Sequence, residues 1–250
     1  MDETAGHGGR GPSGAASDGR AATPLDALGV IASSDAMLTP NLRHVEMFTM
    51  RGLLTILWHE PTGPAITADG PERAPGALVL CGGAMGGLLG PGDALYHWLG
   101  ETWAARGIPV LRVSYRRPND LDLCCVDVAA AVQLAIGGAD AEHVVLMGHS
   151  FGGAVAVRVG VGLRQMVNGV VTFATQSAGC ELAAGLQGAP FLLFHGERDE
   201  ILPVEASEMV SAMAGCGEVV RLPGDGHLLA KSDDVIRERL EQWLPPLLLP

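Results

Sequence analysis

The sequence predicts an α/β fold: a doubly wound, mostly parallel sheet with an antiparallel hairpin at one edge. Three observations carry this. Short, wholly apolar runs at 77–81 and 144–147 end in glycines, as strands buried on both faces do. Such runs alternate with longer segments of helical spacing, which specifies repeated βα units. Finally, 48% of the 250 residues are hydrophobic and 18% charged, enough for one domain of ordinary size with a large core. The 35 glycines and 16 prolines suit a fold with many tight strand-to-helix turns.

Residues 1–40 are dominated by Gly, Ala, Ser, Pro and Thr without sustained periodicity, and read as a disordered tail, with at most a turn of helix at 25–32. The domain is expected over 41–250. Strands at 44–50 and 53–58 joined across Arg51-Gly52 make the hairpin, and 61–75 is a Pro- and Gly-punctuated loop. The strand at 77–81 opens the alternating part. Helix 93–106 places Leu95, Trp98, Leu99 and Trp103 on one face. Strand 109–114, helix 122–136, strand 144–147 and helix 151–163 follow. Strand 170–175, a short helix near 181–186, strand 191–195, helix 204–214, strand 218–222 and a closing helix at 233–243 complete the series. In such sheets the chemistry sits beyond the carboxyl ends of the strands, after residues 81, 147, 195 and 222.

The loop after Met147 reads Gly148-His149-Ser150-Phe151-Gly152-Gly153, a G-x-S-x-G. Alone, the motif is weak evidence. Its context is an apolar strand before and a helix after, the strand–turn–helix setting of a nucleophile elbow. The turn holds the serine in a strained conformation, and side chains at Gly148 and Gly152 would collide with neighbouring backbone. A serine hydroxyl needs a base, and the base an orienting carboxylate. Strand 191–195 runs into His195-Gly196-Glu197-Arg198-Asp199, and strand 218–222 into Pro223-Gly224-Asp225-Gly226-His227. Ser150, Asp199 and His227 thus follow three strand ends in the chain order Ser, Asp, His.

On these residues the chain resembles the α/β-hydrolase superfamily over roughly residues 44–245. Leu78-Val79-Leu80-Cys81-Gly82-Gly83, Val113-Ser114-Tyr115-Arg116 and the lack of a long insertion resemble its small dienelactone-hydrolase-like and prolyl-oligopeptidase-like members. The dienelactone hydrolases use a cysteine nucleophile where this elbow carries Ser150, so the resemblance extends to the fold and not to that reaction. It implies a catalytic set of Ser150, Asp199 and His227. It further implies an oxyanion hole from the backbone N–H of Phe151 and a second donor, Gly83 or Ala84, with Cys81-Gly82 where many members have His-Gly. The short stretch between strands 170–175 and 191–195, where a lid domain usually inserts, implies no large cap. The implied activity is cleavage of a small carboxylic ester, thioester or amide through an acyl-enzyme, without cofactor or metal. Alternatives are a thioesterase, acyltransferase or aminopeptidase-like enzyme on the same triad, or a non-catalytic binding protein of this fold.

Blander roles compete for each residue. Ser is also a common helix N-cap. Glu197 and Asp225 rival Asp199 as the orienting carboxylate. Of the other histidines, His149 and His195 lie near the site as supporting groups, and His97 on its helix reads as structural. The glycines at 82–92 lack a P-loop ending, and the histidines lack metal-ligand spacing. Arg112, Arg116 and Arg117 are expected to pair at the surface with Asp120 and Asp122.

A formal net charge of −12 opposes phosphate backbones and anionic lipid, so the expected partner is a small-molecule acyl substrate rather than nucleic acid or a membrane. The acidic N-terminus has no apolar run after it, which argues against a signal peptide. No uninterrupted apolar stretch reaches about 18 residues. Five cysteines, odd in number and without C-x-x-C, read as reduced thiols in a cytoplasmic protein.

Overall fold

The computed structural model describes residues 22–62 and 75–249. Residues 1–21 of the expected tail and 63–74 of the expected loop lie outside the described residues. In chain order the elements are α1 (Pro24–Leu28), β1 (Val30–Thr39), β2 (Leu42–Thr49), β3 (Gly52–His59) and β4 (Gly76–Cys81). Then come α2 (Leu95–Ala104), β5 (Val110–Ser114), α3 (Leu121–Gly138), β6 (His143–His149), α4 (Phe151–Gly162) and β7 (Val167–Phe173). A 3₁₀ turn (Ala183–Leu186), β8 (Phe191–Gly196), α5 (Glu205–Ala214), β9 (Glu218–Leu222), α6 (Asp233–Trp243) and α7 (Pro245–Leu248) close the chain.

One nine-stranded sheet has the order β1-β2-β3-β5-β4-β6-β7-β8-β9. From β5 to β9 every pairing is parallel, whereas β1, β2 and β3 pair antiparallel and join through β3 to β5. The chain leaves β4 first toward β5 and then crosses to β6. That reversal opens a crevice beyond the carboxyl ends of β4 and β6.

The extension differs from the expected hairpin by a whole strand. Residues 24–39, read from sequence as tail, form α1 and β1. All ten residues of β1 are exposed. With neither face buried, no period-2 alternation arises, and the strand is held by its backbone ladder to β2, from Val30↔Thr49 to Thr39↔Leu42. The helix α1 combines local capping with anchors to the rest of the fold, among them Leu25 N donating to Gln133 Oε1 at 2.9 Å. Thr23 Oγ1 accepts from Asp26 N, Asp26 Oδ2 accepts from Thr23 N at 2.8 Å, and Gly29 ends the helix at φ 62°. Leu28 is buried beneath it.

Both sheet faces are covered, which is why the central strands are continuously apolar. In β4, Ala77, Val79 and Cys81 face the layer of α3, α4 and α5, while Leu78 and Leu80 face α2, α6 and α7. The same alternation holds in β6, with Val144 and Leu146 on one side and Val145 and Met147 on the other. Helix α3 has the length and mean hydropathy (1.6) of a membrane span. Here its apolar face is spent on the sheet and on α1 and α4. It also carries the buried Asp127, whose Oδ1 lies 2.5 Å from Arg116 Nε.

That pair corrects the expected arginine pairing. Arg116 also donates to Leu28 O, which ties α1 to the sheet, and buried Arg112 donates to Leu88 O. Asp122 pairs with Arg158 instead.

Candidate active site

Strand β6 delivers Ser150 to the crevice. Its backbone sits at φ 56°, ψ −118°, a conformation costly for a residue with a side chain. The surroundings hold it there: Ser150 N donates to Phe173 O at 2.8 Å, and Gly153 N donates to Ser150 O at 2.9 Å. No side-chain cap hydrogen bond forms, so Ser150 is not spent as an N-cap. The elbow glycines are steric requirements. A Cβ at Gly148 would strike the carbonyl of Gly152, and one at Gly152 would strike the carbonyls of Gly82 and Cys81.

His227 Nε2 lies 2.9 Å from Ser150 Oγ, and His227 Nδ1 lies 2.7 Å from Asp199 Oδ2. Ser150, Asp199 and His227, separated by up to 77 residues, thus form one hydrogen-bonded line. The side chain of Asp199 is fully buried. Burial works against its ionisation, but N–H groups of Leu202 and Ile201 and the His227 ring outweigh it and hold the carboxyl below 3.8. Both backbone donors reach Oδ1 at 2.8 Å, leaving Oδ2 for His227.

The rival carboxylates are engaged elsewhere. Glu197 faces Arg221, and Asp225 accepts from Gly226 N and Lys231 N within its own loop.

Two further histidines support this line. His149 Nε2 is 3.0 Å from His227 O. A carbonyl only accepts, so Nε2 carries the proton. Burial pushes the His149 pKa down to about 4, which keeps the ring neutral and in that role. His195 is buried between Ser207 Oγ, 2.7 Å from Nδ1, and Leu202 O, 3.1 Å from Nε2. Its Nε2 also lies 3.2 Å from Asp199 Oδ2. These hydrogen-bond partners could not be read from sequence, because Ser207 and Leu202 belong to a later loop and helix.

The loop after β4 supplies the other wall. Phe151 is the first residue of α4, where N–H groups have no intrahelical acceptor. Gly83 lies against the nucleophile: a Cβ added to it would sit 3.5 Å from Ser150 Cβ. Ala84 instead packs its side chain against the core. Two buried tyrosines brace this loop, Tyr96 Oη donating to Cys81 O and Tyr115 Oη to Gly82 O, each at 2.9 Å. Sequence reasoning gave neither tyrosine this role; Tyr115 entered only within the run Val113-Ser114-Tyr115-Arg116. A cavity of about 250 Å³, lined by this glycine-rich loop, Leu88, Leu89 and His149, adjoins the elbow. Exposed Met85, Leu89, Ile201 and Leu228 stand on the loops that carry the site.

No family model matches the sequence, and no curated protein does. Solved structures do match. Est1E from Butyrivibrio proteoclasticus superposes with TM-score 0.66 at 17% identity, over 81% of this chain and 98% of that one. An α/β serine hydrolase without lid from Xanthomonas campestris gives 0.66 at 16%, over 85% and 98%. A dienelactone hydrolase from Anabaena variabilis gives 0.68 at 15%, over 86% and 99%. At these identities the likeness is one of fold.

Proposed function

For a chain that has the α/β-hydrolase fold, we propose a serine hydrolase that cleaves small carboxylic esters, thioesters or amides through an acyl-enzyme. The observation that carries this reading is the 2.9 Å contact between Ser150 Oγ and His227 Nε2 at a strained elbow, with Asp199 behind the imidazole.

In the proposed cycle Asp199 accepts the Nδ1 proton of His227 as a hydrogen bond, which leaves the Nε2 lone pair toward Ser150. Ser150 Oγ attacks the acyl carbon as His227 Nε2 takes its proton. Negative charge develops on the former carbonyl oxygen. The N–H groups of Phe151 and Gly83 stabilise it, each such donor being worth roughly 10²–10³ in rate. Of the two candidate second donors, the place of Gly83, where an added Cβ would come to 3.5 Å from Ser150 Cβ, favours Gly83 over Ala84. His227 then protonates the leaving group. Water then attacks the acyl carbon as His227 Nε2 takes its proton, and the bond from the acyl carbon to Ser150 Oγ breaks as His227 returns that proton to Oγ and the acid leaves. The exposed apolar side chains of Met85, Leu89, Ile201 and Leu228, on the loops that carry the site, support an uncharged acyl group as substrate.

The test is labelling with a fluorophosphonate, which phosphonylates activated serines. The wild-type chain is expected to label, Ser150→Ala to lose all labelling, and His227→Ala to lose nearly all. A folded wild-type chain that does not label would point to a non-catalytic binding protein of this fold.

A further inference from the structure

A second cluster of metal-ligand groups lies away from the crevice. His59 is the last residue of β3 and pairs with Val110, the first residue of β5. It therefore sits toward the amino ends of the parallel strands, whereas Ser150 follows the carboxyl end of β6. The imidazole is fully buried, and neither ring nitrogen has a hydrogen-bond partner among the described residues. A buried imidazole without an aligned hydrogen bond has lost its hydration uncompensated, so its persistence calls for a partner.

That partner is prepared on α2. His97 and Glu101 are one turn apart on the same face of this helix, and both are exposed at its surface. One ligand atom from each of His59, His97 and Glu101 falls in a group no wider than 4.8 Å. His59 Nδ1 lies 3.1 Å from Glu101 Oε1 without the alignment of a hydrogen bond. Two ligands of a tetrahedral zinc ion, bonded at about 2.0–2.1 Å, are about 3.3 Å apart. Small rotations of the exposed His97 and Glu101 side chains would bring the remaining separations to that value. Gly100 lets the ring lie flat on the helix, since a side chain there would collide with it.

We propose that His59, His97 and Glu101 form a binding site for a divalent metal ion of the zinc class, separate from the serine site. Two imidazoles and a carboxylate suit Zn²⁺ or Co²⁺ better than Mg²⁺ or Ca²⁺, which prefer all-oxygen sets. Water takes the fourth position on the exposed side. The Arg112 charge nearby opposes the ion, so binding is weaker than at a four-ligand structural site. The ion ties the antiparallel extension, through β3, to a helix of the central sheet. Its role is structural, and the serine chemistry does not pass through it.

The test uses the full chain freed of metal by a chelator. Zn²⁺ is titrated against a chromophoric competitor, and Co²⁺ is followed by its visible absorption. One equivalent is expected to bind, with a rise in Tm and a four-coordinate Co²⁺ spectrum. His97→Ala and Glu101→Gln, both on the exposed helix face, are each expected to weaken binding at least tenfold and abolish the Tm rise. His59→Ala is less informative alone, because it opens a buried space. Absence of stoichiometric binding, or binding of unchanged affinity in both helix variants, overturns the assignment. Neither result bears on fluorophosphonate labelling of Ser150.

Discussion

Asp199→Asn is the sharpest probe of the proposed chemistry, because the two substituents are nearly isosteric and differ in what they offer His227. The amide oxygen can keep the N–H groups of Ile201 and Leu202, both now at 2.8 Å from Oδ1. The other position changes from acceptor to donor. It lies 2.7 Å from His227 Nδ1 and 3.2 Å from His195 Nε2. A donor there forces the His227 proton to Nε2, so the ring can no longer accept from Ser150. The wrong tautomer costs about 10⁴ in kcat, or about 5 kcal/mol of barrier. On the His195 side two N–H groups oppose each other. Exchanging the charged His227 hydrogen bond for a neutral one and losing the His195 contact lowers stability by about 2 kcal/mol. The assay is kcat and KM on a chromogenic short-chain acyl ester, with urea unfolding on the same samples. A folded variant with kcat within tenfold of wild type refutes Asp199 as the group that sets the tautomer.

Three further outcomes are expected. Ser150→Ala and Ser150→Gly should both lose about 10⁵–10⁶ in kcat. Ser150→Gly should also unfold at higher urea than Ser150→Ala by about 1 kcal/mol, since glycine accepts φ 56° without strain; equal stabilities would mean that the elbow stores none. His149 has a folded pKa of about 4 against 6.5 unfolded, so the unfolded chain binds its proton first as pH falls. Its contribution is intact above pH 6.5 and is lost between 6.5 and 4, at a slope of up to about 1.4 kcal/mol per pH unit. His149→Gln should flatten that limb in unfolding measured across pH, and an unchanged slope would remove His149 as its source. Tyr115→Phe deletes the hydroxyl on Gly82 O, and should cost about 1 kcal/mol of stability and lower kcat with little change in KM; an unaltered kcat would show that this brace does not shape the oxyanion loop.

Much of the molecule could be read along the chain because the signals are local. The elbow needs Gly148 and Gly152 beside Ser150; the clash that enforces Gly148 is with Gly152, four positions on, whereas the one that enforces Gly152 is with the distant carbonyls of Cys81 and Gly82. Buried strands announce themselves as unbroken apolar runs, and β4, β6 and β8 were placed to within a residue or two. β1 left no such mark. Its side chains face solvent on both sides, so nothing selects alternation, and its stability lies in hydrogen bonds to β2 that any sequence can make. Arg116 was misread for a related reason. Its partner Asp127 lies inside an apolar helix, where a charge is tolerated only because folding brings the guanidinium to it.

The sequence by itself determined which residues stand at the strand ends, and in what order, because βα alternation and glycine turns are written in neighbouring positions. Only the tertiary structure decided among the carboxylates. Glu197, Asp199 and Asp225 all follow β8 or β9, and their spacing alone does not say which meets His227. Packing turns Glu197 to Arg221 and closes Asp225 on its own loop, while the backbone of 199–202 aims Asp199 at the ring. It likewise laid Gly83 beside Ser150 and packed the side chain of Ala84 on the core. It also brought His59 to a helix that begins 36 residues later in the chain, a proximity no spacing rule could have signalled.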